Sequence, residues 1–218
     1  MTSPSIEDYL KAIFKVQQDS GHVSTQDLSL KLGVSPSAIS KMLHRLAELK
    51  LASHTPYHGV VLTSNGTAMA LEIIRHHRLL ERYLVQALGY EWDTVHDEAE
   101  RLEHHISEEF EDRIDVLLGY PTTCPHGDPI PKRDGTMPST SHTTLAQQSS
   151  GSLTITRVDD GDSALLRHFK ELGLLPGTSI HLEEIEPFGG AYVVRVGDRQ
   201  VRVAPGAASQ IYVLTEVI

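Results

Sequence analysis

The segment HDEAERLEHH, residues 96 to 105, puts four carboxylates and three imidazoles into ten positions. Like charges three or four residues apart destabilise a helix, so either water and salt offset the repulsion over an acidic face, or a divalent cation does. On a helix His96, Glu100, Glu103 and His104 fall at i, i+4, i+7 and i+8 and share one stripe, apart from an apolar stripe of Leu102, Ile106, Phe110, Ile114 and Leu117. In the preceding amphipathic run His77 and Glu81 are also four apart, a spacing at which one helix can give two ligands to one ion. Any one of these six side chains alone reads as a solvated surface charge. All six, in register on adjacent helices, read as an ion-binding set.

Two long helices must carry them, one from Thr63 or Ser64 to Leu88 and one from about Asp93 to Leu118, long enough for a helical dimer interface. Upstream, SIEDYLKAIFKVQQ has helical spacing with Ser5 as a cap, and Ser24 opens a short helix that Gly33 ends. Ser35 caps the next helix, with Pro36 in its first turn. Helix, glycine turn and helix form a helix-turn-helix, and LASHTPYHGVVLT reads as a β-hairpin wing with His54, Tyr57 and His58 near its tip. Ile39, Leu43 and Leu46 mark the buried side of the second helix. Ser35, Pro36, Ser37, Ser40, Lys41, His44 and Arg45, with Tyr57 and His58 of the wing, are left to meet a major groove and its phosphates. The competing reading is a helical hairpin that merely packs.

Residues 127 to 150 are rich in Pro, Ser, Thr and Gly and read as linker. Beyond them LTITRV, SIHLEEI, AYVVRVG, RQVRVAP and IYVLTEV, with the helical SALLRHFKEL between the first two, read as a small β-barrel. The fold class is mainly α with a small β part. The expected domains are a winged helix-turn-helix over 1–66, a helical metal-binding and dimerisation domain over 67–126, the linker 127–150, and an SH3-like, FeoA-type barrel over 151–218.

The net charge of −10 is uneven. Residues 1 to 66 hold six basic against five acidic side chains, and residues 67 to 120 hold five against thirteen. The acidity is therefore local and does not argue against nucleic acid as a partner. No apolar run is long enough to span a bilayer, and MTSPSIEDYL lacks the basic and apolar regions of a signal peptide, which predicts a cytoplasmic protein. The single cysteine, Cys124, excludes an internal disulfide.

SIEDYL, the winged helix, RHHRLLERYL, VHDEAERLEHHISEEFEDRI and the terminal barrel together resemble the diphtheria-toxin-repressor (DtxR/MntR) family of metal-activated transcriptional regulators over essentially the whole chain. The match is best to its three-domain manganese regulators of the SloR/ScaR type. The resemblance implies a primary site of Asp8, Glu100, Glu103 and His104, with His77 close enough to share. Iron-responsive members carry Met and Cys where this chain has Asp8 and Glu100, and carboxylates with imidazole suit hard ions such as Mn(II). Lys11 replaces a Glu of the short, barrel-less members. YPTTCPHGDPIP implies a second site of Cys124, His126, Glu81 and, from DDGDSALL, Asp162, while His96 matches a ligand of the iron regulators' ancillary site. Without the resemblance, Cys124 reads equally as a packed thiol.

The expected function is a homodimeric, Mn(II)-activated repressor of metal-homeostasis genes that binds double-stranded operator DNA and has neither a membrane nor a small-molecule substrate as partner. An Fe(II)-responsive regulator and a metal-transport accessory protein are the alternatives, and other divalent ions are expected to bind in vitro. A two-metal hydrolase is disfavoured, since no HExxH-type motif is present and a winged helix has no use in one.

Overall fold

The computed structural model of the chain describes residues 4–21, 23–55, 59–138 and 143–215. These residues fall into two compact units, the first formed by Met1–His77, Glu103–Ile106 and Pro131–Thr136, the second by Arg78–Leu102, Ser107–Ile130 and Met137–Ile218.

The first unit starts with α1 (Pro4–Ser20), which begins one residue before the expected cap Ser5 and buries Tyr9, Leu10, Ile13 and Phe14. Helix α2 (Thr25–Leu32) is opened by a capping box: Ser24 Oγ accepts from Asp27 N at 3.0 Å, and Asp27 Oδ2 accepts from Ser24 N at 3.0 Å. Gly33, at φ 65°, turns the chain out of α2, and Ser35 and Pro36 start α3 (Pro36–Glu48). Ile39, Leu43 and Leu46 are the buried residues of α3. At about 1.5–3 kcal/mol for each such side chain, packing and not intrinsic propensity holds this short helix. Strands β1 (Ala52–Thr55) and β2 (Gly59–Leu62) pair antiparallel, from Ala52↔Leu62 to Thr55↔Gly59, and Val60 N donates to Val23 O at 3.0 Å, fastening the wing to the segment before α2. Helix α4 (Ser64–Leu88) passes so close to this body that a Cβ on Gly66 would lie 1.9 Å from Leu51 O.

The second unit contains the later turns of α4, then α5 (Val95–Leu102) and α6 (Glu108–Leu117). The single helix expected over 93–118 is therefore two, separated by a turn at 103–106. Ser107 Oγ accepts from Phe110 N at 3.3 Å and caps α6, with Glu108, Glu109 and Glu111 in its first turn. Asp97 and Glu98 likewise sit in the first turn of α5. Part of the acidic concentration thus answers two helix dipoles, which the stripe reading did not anticipate.

Strands β3 (Gly151–Val158), β4 (Ser179–Ile185), β5 (Tyr192–Val196), β6 (Arg199–Val203) and β7 (Ile211–Thr215) form an antiparallel sheet in the order β6-β5-β4-β3-β7, with bulges between Ile155 and Arg157 and between Leu182 and Glu184. Helix α7 (Ser163–Leu172) and the short α8 (Pro205–Ala208) accompany the sheet, and α7 buries Leu166 and Phe169 in its core. Trp92, from the loop before α5, packs against the same core.

The expected linker is in part structural. Residues 127 to 130 are buried, Cys124 N donates to Asp128 O at 2.8 Å, and Val158 N donates to His126 O at 2.9 Å. Gly127, at φ +91°, lies where a Cβ would be 2.1 Å from Thr156 O. The Pro and Gly content here reflects close packing against β3.

Candidate metal centres

Within the first unit α1 meets the turn after α5. Asp8, Glu103 and His104 offer ligand atoms that all lie within 4.8 Å of one another. His104 Nε2 is 2.8 Å from Asp8 Oδ1 and 3.5 Å from Glu103 Oε1, while His104 Nδ1 is 2.7 Å from Glu7 Oε2. Glu103 is fully buried. One of its oxygens accepts from Lys11 Nζ at 2.6 Å, and the other lies 2.6 Å from His77 Nδ1. A buried carboxylate needs such partners. Lys11, which the resemblance marked as a lost ligand, thus places a cation on a ligand candidate. Two carboxylates and an imidazole, all hard or intermediate donors, fit a divalent ion such as Mn(II).

A second cluster lies wholly in the second unit. Glu81, Cys124 and His126 are buried together with ligand atoms within 4.8 Å of one another. Cys124 Sγ is 3.9 Å from His126 Nδ1, which is 3.6 Å from Glu81 Oε1. His126 Nε2 is 2.8 Å from Trp92 O, and this contact leaves Nδ1 to the cluster. His96 Nδ1 is 3.3 Å from Glu81 Oε1 and 3.5 Å from Asp160 Oδ2. Glu100, four residues along α5, is 4.0 Å from His96 Nε2.

Asp162 does not join this cluster. Its carboxylate accepts from Ala164 N at 2.8 Å and Leu165 N at 3.3 Å and caps α7, while Asp160, two residues earlier, meets His96. The signal was available, since Asp162 immediately precedes the helical SALL and Asp is a preferred N-cap. The roles of Glu7 and Lys11 carried no such signal, because their partners lie more than ninety positions away.

The acidic surroundings set the protonation of the second cluster. His96 is pushed up to about 10, first by its hydrogen bond to Asp160 and then by that to Glu81. For His126 burial is the largest influence and opposes the charge, yet the hydrogen bond to Glu81 and the charges of Glu81 and Asp160 hold it above its usual value. Burial first, then Glu81 and Asp128, pushes the Cys124 thiol well up.

On α3, Ser35, Pro36, Ser37, Ser40, Lys41, His44 and Arg45 are all exposed. Ser35 caps the helix, Ser40 Oγ donates to Pro36 O at 3.0 Å, and Arg45 pairs with Glu48 at 3.1 Å. Tyr57 and His58 lie outside the described residues.

Three family models match. The N-terminal DNA binding domain of iron dependent repressors matches residues 1–60, their metal binding and dimerisation domain matches residues 63–132, and the FeoA domain matches residues 143–214. The iron-dependent repressor IdeR of Mycobacterium tuberculosis (strain ATCC 25618 / H37Rv) is 30% identical over 208 residues, 89% of this chain and 90% of that protein. The transcriptional regulator MntR of Bacillus subtilis (strain 168) is 33% identical over 120 residues, 55% of this chain and 84% of that protein. Among solved structures, a manganese-dependent transcriptional repressor in complex with manganese superposes with a TM-score of 0.90 at 38% identity, covering 97% of this chain and 100% of that one. The manganese regulator SloR superposes with a TM-score of 0.81 at 34% identity, covering 99% and 100%.

An exposed helix-turn-helix face in a chain that also gathers carboxylates and imidazoles into one partly buried and one buried cluster, with the matches to metal-dependent repressors, defines a metal-dependent DNA-binding regulator. The chain belongs to the diphtheria-toxin-repressor family of iron-dependent repressors, with the FeoA-type SH3-like domain at its C-terminal end. Among the described residues no helix is long and apolar enough to cross a membrane.

Proposed function

We propose that the protein is a Mn(II)-activated repressor that binds operator DNA as a homodimer and controls metal-homeostasis genes in the cytoplasm. The observation that carries this reading is the meeting of Asp8, from the segment matched as DNA-binding, with Glu103 and His104, from the segment matched as metal-binding and dimerising. A bound divalent ion would supply positive charge for two carboxylates and a fixed geometry for three ligands. Asp8 then holds α1, and the helix-turn-helix built on it, to the turn that carries Glu103 and His104. Metal binding favours the arrangement in which two recognition helices reach successive major grooves. Phe110, Val116, Leu117 and Tyr120 are large apolar side chains left exposed in the segment matched as dimerising, which supports a second copy as partner.

Oxygen and imidazole donors at the first cluster support Mn(II), and the similarity to a manganese-dependent repressor and to the manganese regulator SloR supports it as well. An Fe(II)-responsive role is the second reading, favoured by the match to IdeR over most of the chain. In either reading Glu81, Cys124, His126, His96 and Asp160 hold a second ion, and the role is regulatory, not catalytic. Gel shifts on a metal-transporter promoter with Mn(II), Fe(II), Zn(II) or chelator test the proposal. Retardation with Mn(II) at lower concentration than with Fe(II) is expected, and retardation unaffected by chelator would refute activation by metal.

A further inference from the structure

We propose that Glu7 is a positioning residue for the first cluster, whose carboxylate holds the His104 ring so that Nε2 faces Asp8 and Glu103. This rests on the reading of that cluster as an ion site. An imidazole has two nitrogens on different edges, and the partner of one decides what the other can meet. Here Glu7 Oε2 lies 2.7 Å from Nδ1, while Nε2 is 2.8 Å from Asp8 Oδ1 and 3.5 Å from Glu103 Oε1.

His104 lies in the turn between α5 and α6, so its ring is oriented by tertiary partners, here Glu7 and Asp8 of α1 and the adjacent Glu103. Glu7 and Asp8 are successive residues of α1, about 100° apart around the helix, and they address opposite nitrogens of one ring. The His104 side chain is 8% exposed, the Glu7 side chain 14% and the Asp8 side chain 39%. Glu7 is thus the more enclosed of the two acids. It also stands outside the set of Asp8, Glu103 and His104, whose ligand atoms lie within 4.8 Å of one another. Glu7 therefore acts through His104, and Asp8 acts on the ion.

The test measures free Mn(II) by electron paramagnetic resonance during titration of the full chain, for the wild type and for Glu7→Ala, Glu7→Gln and Asp8→Ala. Glu7→Ala should weaken one Mn(II) site by about 10- to 100-fold without changing the number bound at saturation. Glu7→Gln keeps an oxygen that accepts from Nδ1–H and should restore most of that affinity, whereas Asp8→Ala should lose an ion from the count. Thermal unfolding of the metal-free variants is measured alongside, since Glu7→Ala could loosen α1, and the Gln variant keeps the proposal testable if it does. A Gln variant as weak as Ala would make Glu7 a direct ligand or a charge effect and would overturn positioning. Wild-type affinity in Glu7→Ala beside a lost ion in Asp8→Ala would overturn the role of Glu7 alone. Unchanged binding in Asp8→Ala would remove the ion-site reading, and this inference with it.

Discussion

Arg157, from β3, donates to Asp128 Oδ1 at 3.1 Å, and Arg78, from α4, donates to the same oxygen at 3.2 Å. One carboxylate, two residues after His126, therefore ties the segment carrying Cys124 and His126 to a helix on one side and a strand on the other. Arg78 also donates to Pro129 O, and the Arg157 guanidinium lies 3.6 Å from the centre of the Tyr212 ring. Further along, Asp93 pairs with Arg167 of α7 at 3.0 Å and Glu91 pairs with Lys170 at 2.7 Å. The sheet domain is held to these helices by direct contacts that need no ion.

Asp128→Ala should therefore leave two arginines without their shared carboxylate and cost on the order of 3 kcal/mol, read from denaturant unfolding of the metal-free protein. The same variant should expose residues 124 to 131 to protease. In the wild type, chelation should leave that stretch protected, and cleavage there on removing metal would show that the ion is the fastener.

Lys11 and Glu103 form a buried pair, with side chains 8% and 0% exposed. Lys11→Ala should cost metal-free stability by up to about 3 kcal/mol, as breaking a buried pair does, with His77 left as a partner of Glu103. It should at the same time tighten Mn(II) binding at the first cluster, because a cation competing for Glu103 has gone. Denaturant unfolding and Mn(II) titration read the two effects, and their opposite signs separate this role from simple loss of packing.

Sequence pattern carried the local structure further than the sites. The capping box at Ser24, the Ser35 and Pro36 start of α3 and the alternating strands were legible because their signals lie within a few residues of one another. The break after Leu102 was missed because the stripe from His96 to His104 fits one continuous helix, and only Ser107 with its following carboxylates marks a new start. The contacts of Glu81 with Cys124 and His126 on one side and with His96 and Asp160 on the other draw on four chain segments, so spacing alone could not tell that Asp160 faces His96 while Asp162 caps α7. The contacts of Glu7 and Lys11 depend on tertiary packing and leave no local pattern.

Proton release should accompany ion binding at the second cluster. A protonated imidazole cannot ligate, and His96, held near 10 by Asp160 and Glu81, carries its proton in the metal-free protein at neutral pH. The thiol of Cys124, pushed up by burial and then by Glu81, also keeps its proton. The raised values mean that protons compete with the ion, so affinity there should rise as pH rises through neutrality toward about 10. Calorimetry in buffers of different ionisation enthalpy should find protons released by the wild type, and fewer in Cys124→Ala. Equal release by both would place Cys124 outside the ion's ligands.

Lys41 is exposed on α3. Lys41→Ala should weaken operator binding and lower the slope of log affinity against log salt by about 0.9 if its contact is to one phosphate. An unaltered affinity and slope would turn this face of α3 away from the DNA.

A paired titration reads directly whether metal and operator binding are coupled through Asp8. Operator affinity is measured with and without Mn(II), and Mn(II) affinity with and without operator, in the wild type and in Asp8→Ala. Coupling through Asp8 requires that each ligand tighten the other by the same factor, typically about 5- to 150-fold, and that Asp8→Ala abolish this effect while remaining folded. Operator affinity equal with and without Mn(II) in the wild type, or coupling that survives in Asp8→Ala, would contradict it.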